Sequence, residues 1–411
     1  MRKIINDPVH GFITIDDELV FSLISHPWFQ RLRRIKQMAL AYLVYPGAVH
    51  TRLHHALGAY HLMSAALTEL RLKGTDISIR EERASKLAIL MHDIGHGPFS
   101  HALEHAIVDV HHENLSLLIM QRFISELAKT DEDYQVMHMA VEIFQGTYRK
   151  NFLHQLVSSQ LDVDRMDYLA RDSFFTGVSE GVIGYDRILK MLCVREDELL
   201  VEEKGLHSIE KFLIARRLMY DQVYLHKTVL SSELMLLTVL QRARELSLLG
   251  EQLFATPALQ YFLQHEITLA DFQSGEECLQ TFLELDDFDI VSAIKVWSRH
   301  SDPVLSDLSS RLLGRNLFKV RFMGSSSQNE IDEIRENLIR EGVVPDQIRY
   351  YLLAGSTASI TYQAGQERIK ILFKNGEVRD ITEAENSLIQ DALLIPVKKP
   401  YICFLRNQQR S

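Results

Sequence analysis

The run Met91-His92-Asp93-Ile94-Gly95-His96-Gly97-Pro98-Phe99-Ser100-His101 sets an imidazole beside a carboxylate and adds two more imidazoles around a Gly-Pro turn. Neutral imidazole and ionised carboxylate are ligands that suit a divalent first-row metal ion. Adjacent residues do not share a helix face, so His92 and Asp93 can reach one ion together only from a helix end. The apolar run Leu87-Ala88-Ile89-Leu90-Met91, with Gly95 and Pro98 behind it, predicts such an end here. A third ligand is expected from the upstream stretch Thr51-Arg52-Leu53-His54-His55-Ala56-Leu57-Gly58. A fourth is expected from the downstream stretch Leu161-Asp162-Val163-Asp164-Arg165-Met166-Asp167-Tyr168. Two imidazoles and two carboxylates without a thiolate resemble hydrolytic sites more than closed structural zinc sites. An ion with open positions polarises a phosphoryl oxygen and lowers the pKa of bound water. Asp164, Tyr168 and Asp172 recur every fourth residue, so a helix places them on one face. With Asp164 at the ion, Tyr168 and Asp172 extend along a pocket wall, where Asp172 can accept from a sugar hydroxyl.

These groups need a scaffold, and the composition bounds it. The 411 residues exceed one typical domain. Apolar residues make up 46% and charged residues 24%, as in soluble globular chains. A net charge of −10 argues against tight non-specific nucleic-acid binding. Cys193, Cys278 and Cys403 lie far apart, which points to reduced thiols in a cytoplasmic setting and not to a disulfide frame or zinc knot. The first residues lack a secretory apolar stretch. No uncharged apolar run reaches the roughly 18 residues that a membrane span requires, so no membrane partner is expected.

Along the chain, Asp7-Pro8-Val9-His10-Gly11 with Phe12-Ile13-Thr14-Ile15 predicts a turn and a short strand, as in a small hairpin. From about residue 20 to 300, apolar residues recur at spacings of three and four, as in Leu53, Leu57, Tyr60, Met63 and Leu67. After about residue 315 the texture changes. Phe318 to Phe322 alternates as a strand, Ile331 to Arg340 reads as an amphipathic helix, and two strand-like runs flank the turn signal Asn375-Gly376. The expected fold is mainly α: a large helical core over residues 1–314, with the metal site within 50–175, and a smaller C-terminal α+β lobe over 315–411.

Several separated motifs share one resemblance. They are Ile5-Asn6-Asp7-Pro8-Val9-His10-Gly11, Phe29-Gln30-Arg31-Leu32-Arg33, Tyr45-Pro46-Gly47-Ala48, Arg52-Leu53-His54-His55, His92 to His101, His112-Glu113, Leu161 to Asp172 and Tyr224-Leu225-His226-Lys227. In this order the chain resembles the HD-domain metal-dependent phosphohydrolases, within them the deoxynucleoside triphosphate (dNTP) triphosphohydrolase branch of the dGTPase and SAM-and-HD-domain type. The resemblance runs from about Ile5 to Lys227. It implies His55, His92, Asp93 and Asp164 as ligands of one divalent ion, with Mn, Fe, Ni, Mg and Zn all compatible. It implies His96, His101, His112 and Glu104 as catalytic groups around the phosphates. Arg52, Arg165, Arg216 and Lys227 would meet triphosphate oxygens, and Gln37, Tyr168, Asp172 and Tyr224 would surround the deoxyribose. The implied reaction is attack of water at the α-phosphorus of a dNTP, dGTP among them, releasing deoxynucleoside and inorganic triphosphate. A homo-oligomer, dimer or tetramer, and a nucleotide effector are implied as partners.

Two positions depart from the pattern. Glu104 stands where relatives carry Asp, and Ser25-His26-Pro27 lacks the carboxylate of the relatives' activator site, although Gln30 and Arg33 are present. The alternative readings are an HD phosphohydrolase acting on a nucleoside monophosphate or a cyclic or linear nucleotide, and a non-catalytic nucleotide sensor.

Overall fold

The computed structural model describes residues 2–100, 106, 108–323, 327–359, 368–384 and 397–406. The architecture is mainly helical, with three small sheets. Lys3–Asp7 pairs antiparallel with Gly11–Ile15, so the expected hairpin is present. Gly11 takes a positive φ of 76° at the turn, a conformation glycine adopts without steric cost. The Asp7 carboxylate closes the turn by accepting the backbone N–H groups of Val9 and His10, each at 2.9 Å.

Three helices frame the site: Arg52–Leu72, Ile79–Met91 and Val163–Thr176. The Arg52 helix packs against the other two. It starts at Thr51, where the His54 ring takes the backbone N–H of Thr51 and completes a capping box. The Ile79 helix ends at His92, its C-cap, so the adjacent His-Asp pair does occupy a helix end. The third helix is capped by Asp162, which accepts the Arg165 N–H at 2.7 Å, and it stops at Gly177 in the left-handed region. Its crossing with the Arg52 helix is close. A Cβ on Gly58 would stand 1.9 Å from Asp167 Oδ1 and 2.2 Å from Arg171 Nη2, so only glycine fits.

The helix Leu206–Met219 runs into a π-helical turn, Tyr220–Tyr224, followed by the long helix Lys227–Leu248. Beyond residue 315, Lys370–Leu372 and Val378–Asp380 form the hairpin signalled by Asn375-Gly376. That hairpin adds in parallel to Glu198–Glu202, so strands from both sides of the expected boundary share one four-stranded sheet. Lys319–Phe322, Val397–Phe404 and Leu352–Ser359 make a three-stranded sheet. The buried apolar residues form one continuous core, from Ile13 to Cys403. No single described helix is long and apolar enough to cross a membrane.

One buried ion pair fixes the start of the Ile79 helix. Glu81 is 2% exposed and accepts from Lys150 Nζ at 2.9 Å, the Tyr148 hydroxyl at 2.8 Å and the Ser78 N–H at 2.8 Å. Burial alone would raise its pKa, but these donors hold it down to about 2. The folded value lies below the ordinary one. Its stabilisation is therefore present above the ordinary carboxylate range and lost as pH falls toward about 2. We expect Glu81→Gln to cost about 1–3 kcal/mol in urea unfolding at neutral pH, with the gap to wild type closing in acid.

Candidate metal centre and phosphate pocket

The two ring atoms His55 Nε2 and His92 Nε2 lie 3.4 Å apart, and both face Asp164 Oδ1, at 3.0 and 3.5 Å. Asp93 completes the cluster, with Oδ1 at 3.3 Å from His92 Nε2 and Oδ2 at 3.8 Å from His55 Nε2. Three elements meet here: the first turn of the Arg52 helix, the end of the Ile79 helix and the first turn of the Val163 helix. The opposite ring nitrogens are held elsewhere. His55 Nδ1 lies 2.8 Å from Asp167 Oδ2, and His92 Nδ1 lies 2.6 Å from the Ile89 carbonyl. With protons on both Nδ1 atoms, both Nε2 lone pairs face the same point, as in metal-binding histidines steadied by an outer carboxylate or carbonyl. The donor set therefore fits a divalent ion. The carboxylates of Asp164 and Asp167 overcome burial and favour positive charge at His55, the charge that a bound cation would supply in place of a second ring proton.

Asp167 is the hub behind the cluster. It is fully buried and meets His55, His10 Nε2 at 2.7 Å and Arg171 Nε at 2.9 Å. Arg171, also fully buried, reaches on to Asp7 at 2.8 Å. Burial would raise the Asp167 carboxyl, but Arg171 and the two histidines hold it well below the ordinary range.

A cavity of about 440 Å3 opens beside the cluster, and Asp93, Asp164, Arg52, His96 and His112 are among the residues that line it. Arg52 pairs with Asp93 and donates to the Ser100 hydroxyl at 2.6 Å. His96 Nε2 lies 3.4 Å from Asp93 Oδ1, and its ring stacks on His112 at 3.9 Å. Burial and the Arg52 guanidinium push His96 well below the ordinary imidazole range, so it is neutral at neutral pH. Arg165, Arg216, Gln37, Tyr168, Asp172 and Tyr224 line the same cavity. Asp164, Tyr168 and Asp172 share one helical face, as their spacing predicts. Lys227 does not join them among the lining residues, and its ammonium sits 5.5 Å from the Phe322 ring. His101 and Glu104 lie outside the described residues.

The family described as "HD associated region" matches residues 183–256. A Bacteroides thetaiotaomicron crystal structure described as a phosphohydrolase superposes with a TM-score of 0.93 at 48% identity, covering 99% of this chain and 100% of that one. The Bacillus subtilis protein YwfO is 32% identical over 93% of this chain and 87% of its own length. The chain belongs to the HD-domain metal-dependent phosphohydrolases. A Dictyostelium discoideum protein named as a deoxynucleoside triphosphate triphosphohydrolase SAMHD1 homolog is 30% identical, and the match spans 61% of this chain and 51% of that relative.

Three sets of contacts around this HD-domain phosphohydrolase site go beyond the roles read from the sequence. His50 Nε2 meets Asp172 Oδ1 at 2.7 Å, and the Tyr224 hydroxyl donates to Asp172 Oδ2 at 2.7 Å, so this carboxylate is fixed from both sides. His10 reaches Asp167 from the N-terminal hairpin. Arg31, in the Phe29–Arg33 motif, is fully buried. It donates to the carbonyls of His96 at 2.7 Å and Leu285 at 2.8 Å, which clamps the turn that carries His96.

Proposed function

We propose that this phosphohydrolase cleaves deoxynucleoside triphosphates to deoxynucleoside and inorganic triphosphate. The observation that carries the reading is one cavity lined together by the cluster carboxylates Asp93 and Asp164, by Arg52, Arg165 and Arg216, and by the Gln37, Tyr168, Asp172 and Tyr224 group. The dNTP triphosphohydrolase name of the Dictyostelium relative supports it.

In this reading His55, His92, Asp93 and Asp164 hold one divalent ion, which when bound would polarise the phosphoryl oxygen and acidify its water. Arg165 is anchored by Asp162 at 2.6 Å and presents its remaining donors to phosphate, with charge and planar geometry suited to phosphate oxygens. His96 and the stacked His112 hold or pass a proton beside Asp93, with His101 and Glu104 as further catalytic groups. Gln37 Oε1 is buried with no partner among the described residues and is free to accept from the sugar. Asp172, held by His50 and Tyr224, offers its carboxylate to a sugar hydroxyl.

The test is incubation of purified protein with Mn2+ and each dNTP, singly and mixed, with detection of inorganic triphosphate and deoxynucleoside. Absence of turnover for every dNTP would refute the reading. Asp172→Ala should lower dNTP kcat/KM by ~10–100-fold, the equivalent of about 1–3 kcal/mol for a hydrogen bond to a charged group. Its metal content by elemental analysis should match wild type, and loss of the metal would instead make Asp172 a ligand.

A further inference from the structure

One polar group in the cavity has no task in the reaction above. Glu233 lies one turn beyond Val229 on the Lys227–Leu248 helix, and both line the cavity. That helix packs against the turn Ala41–Leu43 and the π-helical turn Tyr220–Tyr224. The cluster ligands come from three other segments, so Glu233 enters from a separate wall. The lining shared with it is apolar at Met38, Ala39, Ala41, Val223 and Val229, a surface suited to the face of a flat ring. Among the described residues no group donates to the Glu233 carboxylate. Glu233 is half-buried, and desolvation within the cavity wall is the one cause that pushes it up to about 7. An ionised carboxylate only accepts, and burying it without a donor costs free energy. A ligand that brings two adjacent donors recovers that cost.

Resting on the dNTP reading, we propose that Glu233 reads the nucleobase and favours guanine, whose adjacent N1–H and N2–H groups match the two oxygens of one carboxylate. Adenine and cytosine place an acceptor beside a donor, and thymine flanks its single donor with two acceptors, so none of the three satisfies both oxygens of the ionised carboxylate, the form that guanine's two donors select. The cavity then has a triphosphate end at Arg52 and Arg165, a sugar contact at Asp172 and a base contact at Glu233.

The variant E233Q keeps the shape but replaces one acceptor with a donor. We expect wild type to rank dGTP first among the four dNTPs by kcat/KM. In E233Q the dGTP value should fall by ~10–100-fold, the range of one bidentate base contact, while the other three nucleotides, whose donor–acceptor edges match an amide, hold or gain. Wild type with no dGTP preference, or an E233Q protein that loses all four nucleotides in equal proportion, overturns the assignment. Base reading is also measurable without turnover, by equilibrium binding of deoxyguanosine and deoxyadenosine to the full chain in EDTA. Should no dNTP be hydrolysed, the parent reading fails. The binding result then decides Glu233 by itself: guanine preference abolished in E233Q upholds it, and equal binding of the two nucleosides overturns it.

Discussion

Asp164→Ala should remove both the bound metal ion and turnover. Asp164 Oδ1 is the atom that both imidazoles face, at 3.0 Å from His55 and 3.5 Å from His92. Its loss takes away a ligand and also the negative charge that offsets the cation. Changes to outer groups around metal sites cost ~10–100-fold in affinity, and loss of a ligand is expected to exceed that. Asp164 sits in the first turn of its helix with a 23% exposed side chain, so truncation there leaves the core packing in place. Elemental analysis and triphosphate release read the two effects, and circular dichroism checks the fold. His92→Ala should behave in the same way. A variant that keeps both ion and activity would strike that residue from the ligand set.

The second large effect falls behind the site. Asp167→Ala strips the partner from His55 Nδ1, His10 and Arg171 together. Removing one member of a buried ion pair costs about 3–5 kcal/mol, and the contact from Arg171 to Asp7 places the expectation near the lower end. Asp167→Asn keeps an acceptor for His55 but loses the charge, so its metal affinity should fall by ~10–100-fold with a smaller loss of stability. The acid dependence has a definite sign. The Asp167 carboxyl is depressed in the folded state, so its stabilisation is present above the ordinary carboxylate range and lost as pH falls. Urea unfolding and metal titration measure the two components. Wild-type stability in Asp167→Ala would refute the hub.

Much of the site is legible in the sequence because its parts are locally periodic. The His92-Asp93 pair with its Gly-Pro turn marks a helix end, and the four-residue spacing of Asp164, Tyr168 and Asp172 marks a face. Neither needs knowledge of distant contacts. The Asn375-Gly376 hairpin is legible for the same reason. The pairings of His50 and His10 with their aspartates are not. Their partners lie 122 and 157 residues away, and a lone histidine has no period to announce it. The burial of Arg31 is silent too, since basic residues usually face water and its partners are backbone carbonyls that leave no trace in composition. The parallel pairing of Glu198–Glu202 with Lys370–Leu372 is equally silent, since it depends on closure of a long intervening chain. Lys227 follows the motif in sequence, yet the structure turns its ammonium toward Phe322.

The N-terminal hairpin and the metal centre share Asp167 through His10 and His55. Thermodynamic coupling runs equally in both directions. Docking of the first strands and capture of the ion are therefore one linked equilibrium, in which each tightens the other by the same factor.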